Sequence, residues 1–296
     1  NIKEKKLDEN FRSKNGLLRI KNKNLFKKNP SLIIELFVKL TENPNLRGIE
    51  SSTLRQLKED RGLINTEFRK NKKNIDLFMK LIRSKRLMVT QLDRMNQLGI
   101  LGKYLPEFGR VTGQMQYDLF HIYTVDAHTI QVLRNMRRLY LGTTKKLFPL
   151  ASKIVKHLPN LEILYVAGLY HDIGKGRGKN HSISGAKTVN RFCQNHNFSY
   201  SDRNLIEWLV LNHLKMSITS QKEDLSDTEV IEDFASIVKS KLRLDYLYCL
   251  TVSDISATNP TLWNSWNATL LRELYSKTLN YLTHDQKKSN AFFGNK

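Results

Sequence analysis

A chain of 296 residues has room for two domains of ordinary size, and 40% hydrophobic with 26% charged residues excludes wholesale disorder, collagen-like repeats and low complexity. Forty-nine basic against 28 acidic residues leave a net charge of +21, but the lysines are interleaved with asparagines from Lys3 to Lys28 and from Arg69 to Lys73, with no helix-turn-helix or RNP-type motif, so nucleic acid is not the expected partner. Two cysteines without a CxxC pair, Cys193 and Cys249, exclude a thiolate zinc site and a disulfide framework, and an apolar run no longer than Ile163 to Tyr170 predicts no membrane span.

The chain begins at Asn1, without a starting Met or a signal-peptide apolar stretch, and is expected to be an excised piece of a cytoplasmic protein. Helical periodicity then dominates, with no convincing succession of alternating strands. Leu32, Ile33, Leu36, Phe37 and Leu40 form the stripe of a helix N-capped by Ser31 and ended at Asn43-Pro44. Amphipathic segments Ser52 to Asn65 and Lys73 to Arg83, with a further helix from Thr90 to Gln97, complete a small bundle. The glycine-rich stretch from Leu98 to Arg110 is predicted as a connector beside the domain boundary. Four long helices are expected after it: about Tyr123 to Tyr140, Leu161 to Ile173, Asp202 to Leu214 and Ile237 to Ala257.

These four carry polar groups on their apolar stripes. His128 is flanked by Val125, Val132 and Met136 at helical spacing, His171 by Leu161, Leu164 and Gly168, His213 by Ile206 and Leu209, and Asp254 by Leu247 and Leu250. A lone histidine on such a stripe is ordinarily a satisfied core residue. Four helices each aiming an imidazole or carboxylate inward require compensation, because an unpaired buried polar group costs about 1 to 3 kcal/mol and a buried charge more. A divalent cation is the simplest compensation, and N/O ligands without thiolate admit manganese, magnesium, iron or zinc. Directly after His171-Asp172, the run Ile173-Gly-Lys-Gly-Arg-Gly-Lys-Asn-His181 alternates three glycines with three cations, as a loop touching phosphate beside a metal would. No strand precedes it, so it is a poor dinucleotide fingerprint.

His128, His171-Asp172, His181, His213 and Asp254, in that order, resemble the H…HD…H…H…D pattern of HD-domain metal-dependent phosphohydrolases. Gln114 to His128, His171 to Arg177 and Asp254 to Trp266 more closely resemble the bifunctional uridylyltransferase/uridylyl-removing enzymes that act on the PII nitrogen-regulatory protein, and Met95 to Phe108 is similar to the stretch that leads into their HD domain. The resemblance implies an all-α chain: residues 1–95 a helical linker bundle of the nucleotidyltransferase region, 96–285 an HD phosphohydrolase domain and 286–296 a tail. It implies hydrolysis of the UMP–tyrosine phosphodiester on PII, releasing UMP. His128, His171, Asp172 and Asp254 would hold one cation, manganese or magnesium. His181 and His213 would bind a second metal or the phosphate, and Lys175 would pair with the phosphate. Transferase activity and glutamine sensing are expected only of a parent protein, because neither the nucleotidyltransferase motif nor an ACT pattern is present. Asn180, Ile183 and Ser256 stand where relatives often or sometimes carry Asp, Glu and Arg. Two rivals remain: an HD nucleotidase or phosphodiesterase for small nucleotides, and a catalytically silent basic binding module.

Overall fold

The computed structural model describes residues 4–116, 122–178, 180–259 and 261–293, with side chains up to residue 285. It is dominated by helices, as the 3.6-residue spacing of apolar positions predicts, and divides into two compact units. Residues 1–114 with 192–198 form the first, and 115–191 with 199–296 the second.

The first unit opens with a small sheet that apolar periodicity does not announce. Strands β1 (Lys5–Lys6), β2 (Phe11–Lys14) and β3 (Leu17–Ile20) pair antiparallel, and β4 (Gly48–Ile49) adds to β3 in parallel. The signal that does announce the hairpin is Asn15-Gly16, with φ of 54° and 75°, the turn dipeptide that matches the right-handed twist of its strands. Only Phe11, Leu18 and Ile20 of β2 and β3 are buried, too few positions to show a period of two.

Helices α1 (Leu25–Lys28), α2 (Leu32–Glu42), α3 (Ser51–Asp60), α4 (Thr66–Lys70), α5 (Lys72–Ile82) and α6 (Met88–Gln97) follow. The stripe of α2 is buried as expected, but Ser31 is itself helical, at φ −56° and ψ −25°, and its hydroxyl caps nothing. The turn has already begun, since Ile33 N–H donates to Pro30 O at 3.0 Å. The expected connector instead contains two short helices, α7 (Leu101–Tyr104) and α8 (Pro106–Val111). A Cβ on Gly102 would lie 2.8 Å from Gly109 Cα, so the glycines there serve close packing and not chain flexibility. Buried Phe78, Tyr104, Phe192 and His196 form an aromatic cluster in this unit, where His196 Nδ1–H donates to Phe192 O at 2.9 Å and Nε2 accepts from Tyr104 Oη at 2.7 Å.

The second unit contains α9 (Val125–Leu141), α10 (Pro149–Val155), α11 (Leu161–Tyr170), most of α12 (His181–Asn195), α13 (Tyr200–Asn212), α14 (Lys215–Lys222), α15 (Thr228–Val238), α16 (Lys241–Thr258) and α17 (Ser265–Phe293). The four expected helices are present as α9, α11, α13 and α16. The last starts later than the apolar pattern suggests, because Lys239 sits at φ 67° and ends α15 with its N–H on Ala235 O at 2.8 Å. α9 packs against α11 and α16, and α11 against α13, which brings together the helices that bear inward-facing polar groups.

Candidate metal centre

Each inward-facing group arrives at a helix end or on a buried helical face. His128 on α9 is fully buried among Val125, Val132 and Met136. His171 is the C-cap of α11 and Asp172 follows in the turn; both are buried, at 0% and 3% exposure. His213 is the C-cap of α13, His181 the first residue of α12, and Asp254 lies on α16 with its side chain 16% exposed. α11 can press onto α9 because residue 168 is glycine: a Cβ there would meet Met136 Cε at 2.8 Å and Sδ at 2.9 Å. Gly174 allows a tighter approach, since its Cβ would lie 2.2 Å from the His181 carbonyl oxygen.

The side chains converge. His128 Nε2 lies 3.2 Å from His171 Nε2, 3.0 Å from Asp254 Oδ1 and 3.6 Å from Asp172 Oδ2, while His171 Nε2 lies 3.3 Å from Asp172 Oδ2 and 3.6 Å from Asp254 Oδ1. A cation bound at about 2.0 to 2.2 Å would hold neighbouring ligand atoms about 2.8 to 3.6 Å apart, from octahedral to tetrahedral arrangement. All five separations fall in that range. On the other side of Asp172, His181 Nε2 and His213 Nε2 lie 3.7 and 3.6 Å from Oδ1, and both nitrogens are buried without a hydrogen-bond partner. Two groups of three, His128 with His171 and Asp254, and Asp172 with His181 and His213, therefore each have the spacing to hold a metal ion.

The ring orientations suit ligation. His171 Nδ1–H donates to Gly168 O and His213 Nδ1–H to Val210 O, each at 2.7 Å, so each neutral ring keeps the lone pair of Nε2 for the centre. The buried charges of the site act on one another. Burial would lower the His171 pKa, but Asp172 and Asp254 overrule it and raise it to about 10. Burial would raise both carboxyls, yet His171 and the surrounding donors hold Asp172 and Asp254 well below the usual carboxylate range. His181 is lowered by burial, against the opposing pull of the Asp172 carboxylate.

Of the cations in the loop, Lys175 turns inward. Its Nζ lies 2.8 Å from Asp172 Oδ2, with the side chain 20% exposed. Arg177 is exposed, and Lys179 lies outside the described residues. The unusual residues are accommodated locally: Asn180 Oδ1 accepts from Ile183 N–H at 3.3 Å near the start of α12, Ile183 is exposed, and Ser256 Oγ accepts from Asn135 Nδ2 at 3.0 Å, linking α16 to α9. One contact escaped the reading of the sequence. Gln116, only 9% exposed, accepts through Oε1 a hydrogen bond from Lys175 Nζ and donates through Nε2 to Tyr123 O at 3.3 Å. It lies between Gln114 and the start of α9, but an amide in a loop has no periodicity to mark it.

Comparison with known proteins gives two family matches, the uridylyltransferase GlnD third domain over residues 11–104 and the HD domain over 125–247. Bifunctional uridylyltransferase/uridylyl-removing enzymes from Azotobacter vinelandii (strain DJ) and Pseudomonas fluorescens (strain SBW25) are 52% and 51% identical over 272 residues, 92% of this chain. The chain spans 30% of the length of these relatives. Among solved structures, a Thermotoga maritima CCA-adding enzyme complexed with tRNA is similar in fold, with a TM-score of 0.54 at 13% identity over 89% of this chain and 52% of that one.

Proposed function

We infer that this chain, which carries the third-domain segment and the HD domain found in the bifunctional uridylyltransferase/uridylyl-removing enzymes, hydrolyses the UMP–tyrosine phosphodiester of uridylylated PII. The observation that supports this best is the convergence of His128, His171, Asp172 and Asp254 at separations of 3.0 to 3.6 Å. In this reading residues 1–95 are the linker bundle, 96–285 the phosphohydrolase domain and 286–296 a tail, and the protein works in the cytoplasm.

These four residues would hold one divalent cation, manganese or magnesium, and His181 with His213 would take a second cation or a phosphate oxygen. When bound, a divalent cation supplies Lewis acidity, which lowers the pKa of water toward about 7 and offsets charge on phosphoryl oxygens. The chain's own residues do the rest. The Gly168 and Val210 carbonyls hold the His171 and His213 rings in the tautomer that faces the centre. Asp172 joins both groups, presenting Oδ2 to one and Oδ1 to the other. Lys175 offers a point charge to the phosphate. The buried apolar walls around His128 and His171 exclude water from all but the open side of Asp254, His181 and Lys175, the partly exposed members.

The test is incubation of the chain with uridylylated PII and manganese. Release of UMP is expected. Turnover of free nucleotides with no UMP released from PII would move the assignment to a small-nucleotide phosphodiesterase.

A further inference from the structure

Lys175 is held from two sides that differ in kind. A lysine ammonium has three N–H donors. One of them faces Asp172 Oδ2 at 2.8 Å and another donates to Gln116 Oε1, which comes from a segment 59 residues earlier. Among the described residues no third partner is present, and the side chain is 20% exposed. The orientation of the Gln116 amide is dictated from both ends. Lysine can only donate, so it requires the amide oxygen; the Tyr123 carbonyl can only accept, so it requires the amide nitrogen. Gln116 itself is buried, at 9% exposure, so its amide has little water to bond in place of these partners.

We propose that Gln116 is a positioning residue for phosphate recognition: it anchors the Lys175 ammonium through a neutral acceptor so that one N–H stays available for an anionic oxygen of the substrate. Neutrality is the essential property. A carboxylate in place of the amide would neutralise the ammonium a second time, next to Asp172, and repel the incoming anion. This inference rests on the assignment of Lys175 to the phosphate and is independent of whether PII is the substrate.

The experiment measures binding of inorganic phosphate to the whole chain in the presence of manganese by calorimetry, for wild type, Gln116→Ala, Gln116→Glu, Lys175→Ala and the two double variants. Gln116→Ala is expected to weaken phosphate binding about five-fold, less than the loss of a direct charge-assisted hydrogen bond. Gln116→Glu, which keeps the side-chain volume, is expected to weaken it more, by about tenfold or beyond, because it adds a negative charge. In the Lys175→Ala background neither substitution should have a further effect. A merely structural role predicts the opposite order, with the isosteric Glu milder than Ala. That order, an undiminished effect without Lys175, or no phosphate binding by the wild type would each overturn the proposal. Should Gln116→Ala fail to fold, Gln116→Glu with and without Lys175→Ala still decides it.

Discussion

Gly174 offers the sharpest steric test of how the loop sets the site. It is not among the positive-φ glycines, so alanine would meet no backbone strain there and the whole effect comes from contact. The added Cβ would lie 2.2 Å from the His181 carbonyl oxygen and 3.0 Å from Gly185 N, both backbone atoms of α12. Relief to an ordinary contact requires the turn and the start of α12 to separate by about 1 Å, an overpacking cost near the upper end of about 1 to 3 kcal/mol. For a unit of this size that corresponds to a melting temperature lower by roughly 6 to 12 °C. The same displacement moves His181 relative to Asp172, and a misplacement of about 1 Å can cost about a hundredfold in rate. Thermal melting and UMP release from uridylylated PII are measured side by side. Gly168→Ala is the control, because its Cβ meets side-chain ends and no backbone, Met136 Cε and Sδ at 2.8 and 2.9 Å and Leu133 Cδ2 at 3.3 Å, and the flexible methionine can swing away, so the loss should be markedly smaller. Equal losses in the two variants, or a Gly174→Ala enzyme with wild-type melting and turnover, would refute the reasoning.

Asp172→Ala should reduce hydrolysis by orders of magnitude while the chain still folds in chelator, since it removes a buried charge from a helical frame whose apolar faces are intact; UMP release beside a melt checks both parts. Lys175→Ala should weaken binding of UMP and leave manganese affinity within a few-fold of wild type, because lysine gives a point charge to phosphate and no lone pair to a cation; calorimetry with each ligand separates the two. In the first unit, burial pushes the His196 pKa down to about 4 from an unfolded value of 6.5. The unfolded chain therefore binds the proton more readily between these values, so this contribution to stability is complete above about pH 6.5 and is lost as pH falls toward 4, by about 3 kcal/mol in all. His196→Gln should flatten that part of the urea-unfolding pH profile, and an unchanged profile would show that the imidazole is not what titrates.

The parts of the fold that could be read from the sequence are those carried by a repeated physical signal. Val125, Val132 and Met136 recur around His128, and Leu247 and Leu250 precede Asp254, so both the helices and the inward aim of their polar groups follow from spacing alone. Signals that occur once are harder to recover. The sheet depends on a single Asn15-Gly16 turn within a lysine-rich stretch, and the break between α15 and α16 falls on Lys239, where a left-handed conformation would ordinarily be marked by glycine. Contacts across long separations leave no local pattern at all. Tyr104 with His196 and Gln116 with Lys175 depend on helices and loops meeting in three dimensions, and although the glycine-rich run after His171-Asp172 marks Lys175, nothing in the sequence beside Gln116, Tyr104 or His196 points to the partner.

The candidate ligands are spread along the chain in a way that bears on how the centre matures during synthesis. Asp172, His181 and His213 are all present once residue 213 has emerged, whereas the other group waits for Asp254 on α16. Ribosomes add roughly 5 to 20 residues per second, so the two groups are completed several seconds apart at the slower rates. Helices such as α9 and α11 can form from local contacts in that interval, but His128 and His171 stay without the carboxylate of Asp254 until α16 is made and docks. A nascent chain stalled short of α16 would thus carry only one assembled group, with two buried imidazoles in place of the other, and capture of a cation by the group that includes Asp254 would report completion of the fold.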